Sequence, residues 1–221
     1  TKGPVTFWED GVKDVIEGSA NTAFAGMPAN APKLHLAINN PTLLVGGDFD
    51  TPVWNAAVFH QSTLNDLFVK GLSLTVGVRL DYEKMSMKYK SISDPTDFSM
   101  KVASRPPMPS VSVEAKNLIA NAGYDGKISD DYVQLLPKFA LQYEWKKGNN
   151  VYATVSKGYR SGGYNVQMFS DLISGDLQNS MINAIKESEQ FARFAAMIDK
   201  YAKKADVPEV KEATRYKPEY S

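Results

Sequence analysis

Apolar and polar side chains alternate residue by residue on both sides of a short polar segment within residues 136–165. Before that segment, large apolar residues take odd positions, namely Phe139, Leu141, Tyr143 and Trp145, and polar residues take even ones, namely Lys138, Gln142 and Glu144. After it, the apolar positions are Val151, Ala153, Val155 and Tyr159, and the polar ones are Thr154, Ser156 and Arg160. Because strand side chains point to opposite faces with a period of two, this pattern predicts a β-hairpin.

A second alternating stretch covers residues 72–83. Its even residues are all apolar: Leu72, Leu74, Val76, Val78, Leu80 and Tyr82. Its odd residues are polar or glycine: Ser73, Thr75, Gly77, Arg79, Asp81 and Glu83. The stretch exceeds the usual globular strand of about 5–6 residues. A tilted membrane-spanning strand needs roughly 9–11 residues, so the length favours a transmembrane strand.

The predicted connections are alternately short and long. We predict strands at about 53–67, 72–89, 132–146 and 150–165, and loops at 1–52, 90–131 and 166–215. The loops far exceed the usual connection of about 4–6 residues, whereas each hairpin turns within a few residues. Short turns at one end and long loops at the other are typical of an outer-membrane β-barrel. A soluble antiparallel sandwich or barrel with decorated loops is the alternative.

Helical periodicity appears inside the predicted loops. Residues 179–205 contain no Gly or Pro and predict a helix of roughly seven turns with one apolar seam, interrupted at Ser188. That helix either packs over its own loop region or forms a partner-binding surface or part of a lid. A second helix is predicted at 6–24, with Thr6 and Glu9 as a capping box. Residues 34–38 and 42–45 predict a short strand pair.

Composition narrows the function classes. Lys and Arg together number 25, as do Asp and Glu, which removes any general electrostatic case for nucleic-acid binding. The chain has no cysteine, which excludes disulfides and thiolate chemistry. No uninterrupted apolar run of about 18 residues predicts a transmembrane helix.

Catalytic and metal-binding patterns are weak. His35 and His60 lie far from each other, and Ser161 lacks the glycine two residues earlier that a nucleophile elbow requires. Residues 125–131 carry oxygen ligands without the spacing of a calcium-binding hand, so a bound calcium stays an open alternative there. The glycines at 158, 162 and 163 are interpreted as relieving strand curvature or crowding. We predict no enzymatic activity, no cofactor and no metal site.

Residues 152–165, which read YATVSKGYRSGGYN, resemble a strand motif of TonB-dependent outer-membrane receptors. Three further segments resemble motifs of this family in the family's order: 54–59 with 74–83, 136–143 and 216–221. The resemblance implies antiparallel, up-and-down transmembrane β-barrel strands forming a partial barrel, with long helix-containing extracellular loops. The family's barrel has about 22 strands and encloses a plug domain. Because these 221 residues match neither, and Thr1 opens no signal peptide, we expect an internal barrel fragment.

The resemblance also implies a function in the cell outer membrane. The intact receptor would import a nutrient, namely a siderophore or other metal complex, a vitamin or a glycan. Its partners would be outer-membrane lipid, the nutrient at the extracellular loops and the TonB complex, which acts through the plug domain. Arg79, Arg105 and Arg160 are candidate ligand-facing residues, Arg105 at the start of a stiff proline-rich segment at 105–109. The alternative is a soluble β-rich ligand-binding or adhesion module.

The two strand faces carry a directional prediction. Leu72, Leu74, Val76, Val78 and Leu80 should face away from the barrel lumen, and Thr75, Arg79 and Asp81 should face into it. A short open sheet also leaves an apolar face that needs cover. We therefore expect the isolated chain to self-associate or to fold its helices over that face.

Overall fold

The computed structural model describes residues 2–5, 13–18, 21, 33–40, 43–103 and 112–221. The first strands in these ranges are β1 (Lys2–Val5), β2 (Lys33–Ile38), β3 (Leu43–Asp50), β4 (Val53–Leu64), β5 (Leu72–Ser93), β6 (Thr96–Ala103) and β7 (Ser112–Ala120). They are followed by β8 (Gly123–Lys146), β9 (Asn149–Ser156), β10 (Tyr159–Arg160), β11 (Gly163–Tyr164), β12 (Arg215–Tyr216) and β13 (Glu219–Tyr220). The helices are a π-helix (Asp14–Gly18), α1 (Met168–Glu187), a 3-10 helix (Ala192–Phe194), α2 (Ala195–Tyr201) and α3 (Val210–Thr214).

Antiparallel sheet dominates the fold, which confirms the predicted all-β class. The largest sheet has the order β1-β3-β5-β8-β9, with β4 also paired to β5. The β4–β5 register runs from Val53 opposite Met85 to Leu64 opposite Leu74. The β8–β9 register begins with Lys138 opposite Ser156. Both predicted hairpins are therefore present.

Left-handed residues shape the two hairpin turns. Between β4 and β5, Asp66 and Phe68 have φ angles of 53° and 64°. These left-handed residues interrupt the extended backbone, so β4 ends at Leu64 and not at the predicted strand end, residue 67. The backbone N–H of Gly71, with φ at 87°, donates to the Asp66 carboxylate at 2.7 Å. Gly148 plays the same part between β8 and β9, with φ at 85°. Glycine suits both places because it adopts positive φ without steric cost.

The predicted loops contain more strand than local alternation indicated. β5 continues to Ser93 and β8 begins at Gly123, so the loop predicted at 90–131 contains strand at both ends, with β6 and β7 between. The range 1–52 likewise contains β1, β2 and β3. The predicted pairing of 34–38 with 42–45 is wrong, because β2 pairs with β6 while β3 pairs with β1 and β5. The strand predicted at 150–165 ends at Ser156, and β10 and β11 pair separately with β13 and β12. Long-range pairing, which local alternation does not reveal, sets these partners.

The chain forms two compact units. The first comprises residues 1–49, 89–126 and 166–214, and the second comprises residues 50–88, 127–165 and 215–221. In the first unit, β2, β6 and β7 form a three-stranded sheet, and α1 packs against it. Its core contains Leu34, Leu36, Phe98, Met100, Ile173, Leu177, Met181 and Ile182. This unit buries apolar side chains in the manner of an ordinary globular core.

The predicted helix at 179–205 has different bounds in the structure. α1 begins earlier, at Met168, and ends at Glu187. It stops because Ser188 adopts an extended backbone and donates its hydroxyl to the carbonyl of Ile185 at 2.7 Å. The helix packs within its own unit, which is one of the two predicted alternatives. Of the helix predicted at 6–24, residues 13–18 are helical, whereas Thr6 and Glu9 lie outside the described residues.

Two polar links join α1 to the segments that follow it. The Asn179 side chain donates to the carbonyl of Ala205 at 3.0 Å and accepts from its N–H at 2.9 Å. Lys186 donates to the Asp199 carboxylate at 2.6 Å, and this contact holds the pKa of Asp199 below its ordinary value. These links tie α2 and the segment after it to α1.

Candidate functional site: the polar face of the second unit

The second unit reverses the usual arrangement of a soluble sheet. On β5, Asp81 and Glu83 are only 4% and 2% exposed. Val78 and Leu80, on the other face, are each 43% exposed. Charged side chains are almost never fully buried unless they are paired. The strand therefore turns its polar face inward and presents its apolar face outward, as a membrane barrel does.

The outward apolar face continues across the neighbouring strands, where the polar face is also exposed on β9. On β8, the exposed apolar residues are Val133, Leu135, Phe139, Leu141, Tyr143 and Trp145. β9 adds Val151 and Val155, which lie opposite Tyr143 and Phe139 in the register. Thr154 and Ser156 occupy the other face of β9, as the sequence alternation predicted. We call these exposed apolar side chains of β5, β8 and β9 the apolar band. We call the side of the same strands that carries Asp81, Glu83, Thr154 and Ser156 the polar face.

Aromatic side chains mark both ends of the apolar band. Trp54 and Tyr82 pack edge to face with ring centroids 5.7 Å apart, next to Lys84, where the outward face of β5 becomes charged. At the other end, close to the β8–β9 turn, Tyr143 and Trp145 lie 6.5 Å apart. Outer-membrane barrels place aromatic girdles at both membrane interfaces. The band therefore has the layout of a membrane-spanning surface.

Ion pairing satisfies part of the polar face. Arg79 Nε donates to both carboxylate oxygens of Asp81, each at 2.9 Å. The side chain of Arg79 is 54% exposed and that of Asp81 only 5%. Asp81 is therefore neutralised by its neighbour, and the arginine keeps a large accessible surface on the polar face.

The carboxyl group of Glu83 and the amide group of Gln134 bind residues that follow β9. The Ser161 hydroxyl donates to Glu83 Oε2 at 2.7 Å, while Glu83 Oε1 is buried without a hydrogen-bond partner among the described residues. The Tyr220 hydroxyl donates to the buried side chain of Gln134. Each contact joins a long strand to one of the short strand segments that follow β9.

Asp130 on β8 joins two short strands at one point. The Tyr164 hydroxyl donates to Asp130 Oδ2 at 2.8 Å, and Arg215 Nη1 donates to Oδ1 at 3.2 Å. Tyr164 and Arg215 are themselves directly opposite each other in the β11–β12 pair. One carboxylate therefore holds both sides of that pair.

Glycines allow the short strands to approach each other. A Cβ on Gly162 would lie 2.6 Å from the backbone oxygen of Tyr216 and 3.0 Å from the Pro218 ring. A Cβ on Gly163 would overlap the Tyr216 side chain. Crowding at these two positions was one of the predicted reasons for the glycines, and the structure confirms it. The segments 159–164 and 215–220 thus meet in the fold although about 50 residues separate them.

The three candidate ligand-facing residues lie in different surroundings. Arg79 shares the polar face with Asp81, and the alternation of β5 places Thr75 there as well. Arg160 lies on β10, opposite Glu219 of β13. Arg105 lies outside the described residues. Sequence reasoning missed Asp130, Tyr164 and Arg215 as a group, because no motif links positions so far apart.

Metal sites and membrane-spanning helices were also sought among the described residues. In the described ranges, no group of three or more His, Cys, Asp or Glu side chains has the arrangement of a metal site. None of the helices described here is long and apolar enough to cross a membrane.

Replacing Asp130 with asparagine should loosen the β11–β12 pair by about 1–2 kcal/mol, because a hydrogen bond to a charged group is lost and Arg215 is left without its carboxylate. Hydrogen exchange of the backbone amides at 163–164 and 215–216 in the folded protein measures this local opening, because the amides bonded across the pair lie among these four. Asp131→Asn is the matched control, since Asp131 is exposed and alternates to the opposite face of β8. Equal exchange rates in the two variants would show that Asp130 does not hold the pair.

Comparison with known protein families identifies a family for most of the chain. A family model described as TonB dependent receptor-like, beta-barrel, matches residues 21–190. Comparisons with curated proteins and with solved structures gave no match.

Proposed function

Because this chain belongs to the TonB-dependent receptor β-barrel family, we propose that it forms part of the membrane wall of a nutrient importer energised by the TonB complex. Members of this family are outer-membrane receptors and transporters and not enzymes. The nutrient class is a siderophore or other metal complex, a vitamin or a glycan. TonB would act through a plug domain, and the nutrient would first bind at the extracellular loops.

One observation carries this proposal, namely the reversed sheet of the second unit. Burying Asp81 and Glu83 while exposing Val78, Leu80 and Val155 is unfavourable in water. The free energy of the folded chain is lower when apolar surface is removed from water. In an outer membrane, lipid covers the apolar band. A soluble ligand-binding or adhesion module would bury that band against a second sheet. Val76 and Val155 remain 39% and 73% exposed, and neither belongs to the described core cluster.

The polar face supports a role in ligand passage. Arg79 presents more than half of its side-chain surface there. Arginine binds carboxylate and phosphate groups through a planar set of donors, and it stacks on rings. We therefore retain Arg79 and Arg160 as ligand-facing residues, with Arg105 and its segment contributing at the extracellular side.

A transport experiment tests the proposed function. The gene encoding the complete receptor is deleted, and uptake of radiolabelled ferric siderophores, cobalamin and oligosaccharides is compared with the parent strain. Uptake of one class should fall at least tenfold, return with the wild-type gene, and remain low in a strain lacking TonB. Deleting residues 102–111 should reduce that uptake while the heat-resistant folded barrel persists. If the deletion strain takes up all three nutrient classes as well as the parent strain does, the proposal is contradicted.

A further inference from the structure

The strand β2 lies at an edge of its three-stranded sheet, because the sheet order is β2-β6-β7. Side chains take the place of a strand along its outer edge. The backbone N–H of Leu34 donates to Asn21 Oδ1 at 3.0 Å, and Asn21 Nδ2 donates to the carbonyl of Leu34 at 3.2 Å. The backbone N–H of Leu36 donates to the carboxylate of Glu17. Two side chains therefore bind three edge groups.

These contacts reproduce the hydrogen bonds of a paired strand. An antiparallel partner exchanges N–H and C=O bonds with every second residue, and here Leu34 and Leu36 are the residues bound. Asn21 supplies both a donor and an acceptor to Leu34, whereas Glu17 supplies an acceptor to Leu36. Ile16, adjacent to Glu17, is buried in the same core cluster as both leucines. Glu17 and Asn21 thus form an edge cover, a common protection against edge-to-edge pairing.

The covered strand is complementary to itself. Leu34 and Leu36 face the core, while Lys33, His35 and Ala37 are exposed on the other side. If two copies pair antiparallel with Leu36 opposite Leu36, then Leu34 lies opposite Ile38 and His35 lies opposite Ala37. Apolar residues then meet on one face, and no like charges oppose each other on the other face. Cross-strand pairs of this kind stabilise sheets.

We propose that Glu17 and Asn21 form a removable cover on the edge of β2, and that the uncovered edge pairs with β2 of a second copy of this chain. The backbone groups of Leu34 and Leu36 then exchange their side-chain partners for the backbone of the second copy. The cover keeps the protein from pairing through this edge, and displacement of Glu17 and Asn21 is the event that permits pairing.

The experiment compares the complete receptor in detergent with its Glu17→Ala plus Asn21→Ala double variant. Light scattering should show a doubled protein mass for the double variant only. Asp14→Ala is the matched control, because Asp14 belongs to the same helix and is exposed. Glu17→Gln keeps the oxygen acceptor and should remain at the parental mass. A double variant that keeps the parental mass while retaining its heat-resistant barrel would overturn the proposal, as would equal dimerisation of Asp14→Ala.

Cysteine cross-linking tests the predicted register independently. The chain contains no cysteine, so introduced thiols meet no native thiol. His35→Cys and Ala37→Cys are added to the Glu17→Ala plus Asn21→Ala variant. In the proposed register, the cysteine at 35 of one copy lies opposite the cysteine at 37 of the other, at a spacing suited to a disulfide. A disulfide-linked dimer on a non-reducing gel is expected, and the same cysteines with the cover intact should remain monomeric. Equal cross-linking with and without the cover would refute a role for Glu17 and Asn21.

Discussion

Replacing Gly71 with alanine is expected to destabilise the second unit by about 2–5 kcal/mol. Gly71 has a φ angle of 87°, which costs an L-residue with a side chain about 1–2 kcal/mol. An alanine Cβ would also overlap the backbone carbonyl oxygen of Glu144, whose N–H donates to the carbonyl of Gly71 at 2.8 Å. Overpacking typically costs about 1–3 kcal/mol, and a backbone neighbour cannot rotate away. The two hairpins meet at this contact.

Gly148→Ala is the matched control for this substitution. Gly148 has nearly the same φ angle, 85°, yet nothing lies within 4 Å of the added Cβ. Its replacement should cost only the conformational term of about 1–2 kcal/mol. Urea titration of both variants in phospholipid vesicles measures the difference between them. If Gly148→Ala costs as much as Gly71→Ala, the close approach of Gly71 to Glu144 contributes nothing.

Replacing Val155 with arginine is expected to cost about 2–4 kcal/mol of folding free energy in a membrane. Val155 lies opposite Phe139 and is 73% exposed within the apolar band. Phe139 occupies the middle of the outward series on β8 that runs from Val133 to Trp145, so its partner lies near the centre of the bilayer. A charge there faces hydrocarbon. Folding into vesicles, followed by gel mobility without heating, reports the loss.

Thr154→Arg separates the membrane effect from a general effect of arginine in a strand. Thr154 precedes Val155, has nearly the same side-chain shape and is exposed on the polar face opposite Ala140. A surface substitution of this kind usually changes stability by about 0.5 kcal/mol or less. Comparable losses for the two arginine variants would contradict the assignment of the apolar band to lipid.

Membership of the TonB-dependent receptor family explains why the second unit was the more predictable part. Its strands must alternate between lipid and polar surroundings, so each residue of β5, β8 and β9 carries the signal of its own face. The separation of Val78 from Arg79, and of Val155 from Thr154, followed from a period of two. The sequence by itself therefore determined both hairpins, their faces and the family.

Other features depended on partners that are distant in the chain. β2 pairs with β6 and not with β3, and Asp130 binds Tyr164 and Arg215, which lie 34 and 85 residues away. The end of α1 at Ser188 divided a seam whose periodicity continued on both sides. Local alternation shows which face of a strand is apolar, but it does not show which strand lies beside it. Only the tertiary structure decided these partners, because pairing free energy arises from contacts formed after the chain has folded back on itself.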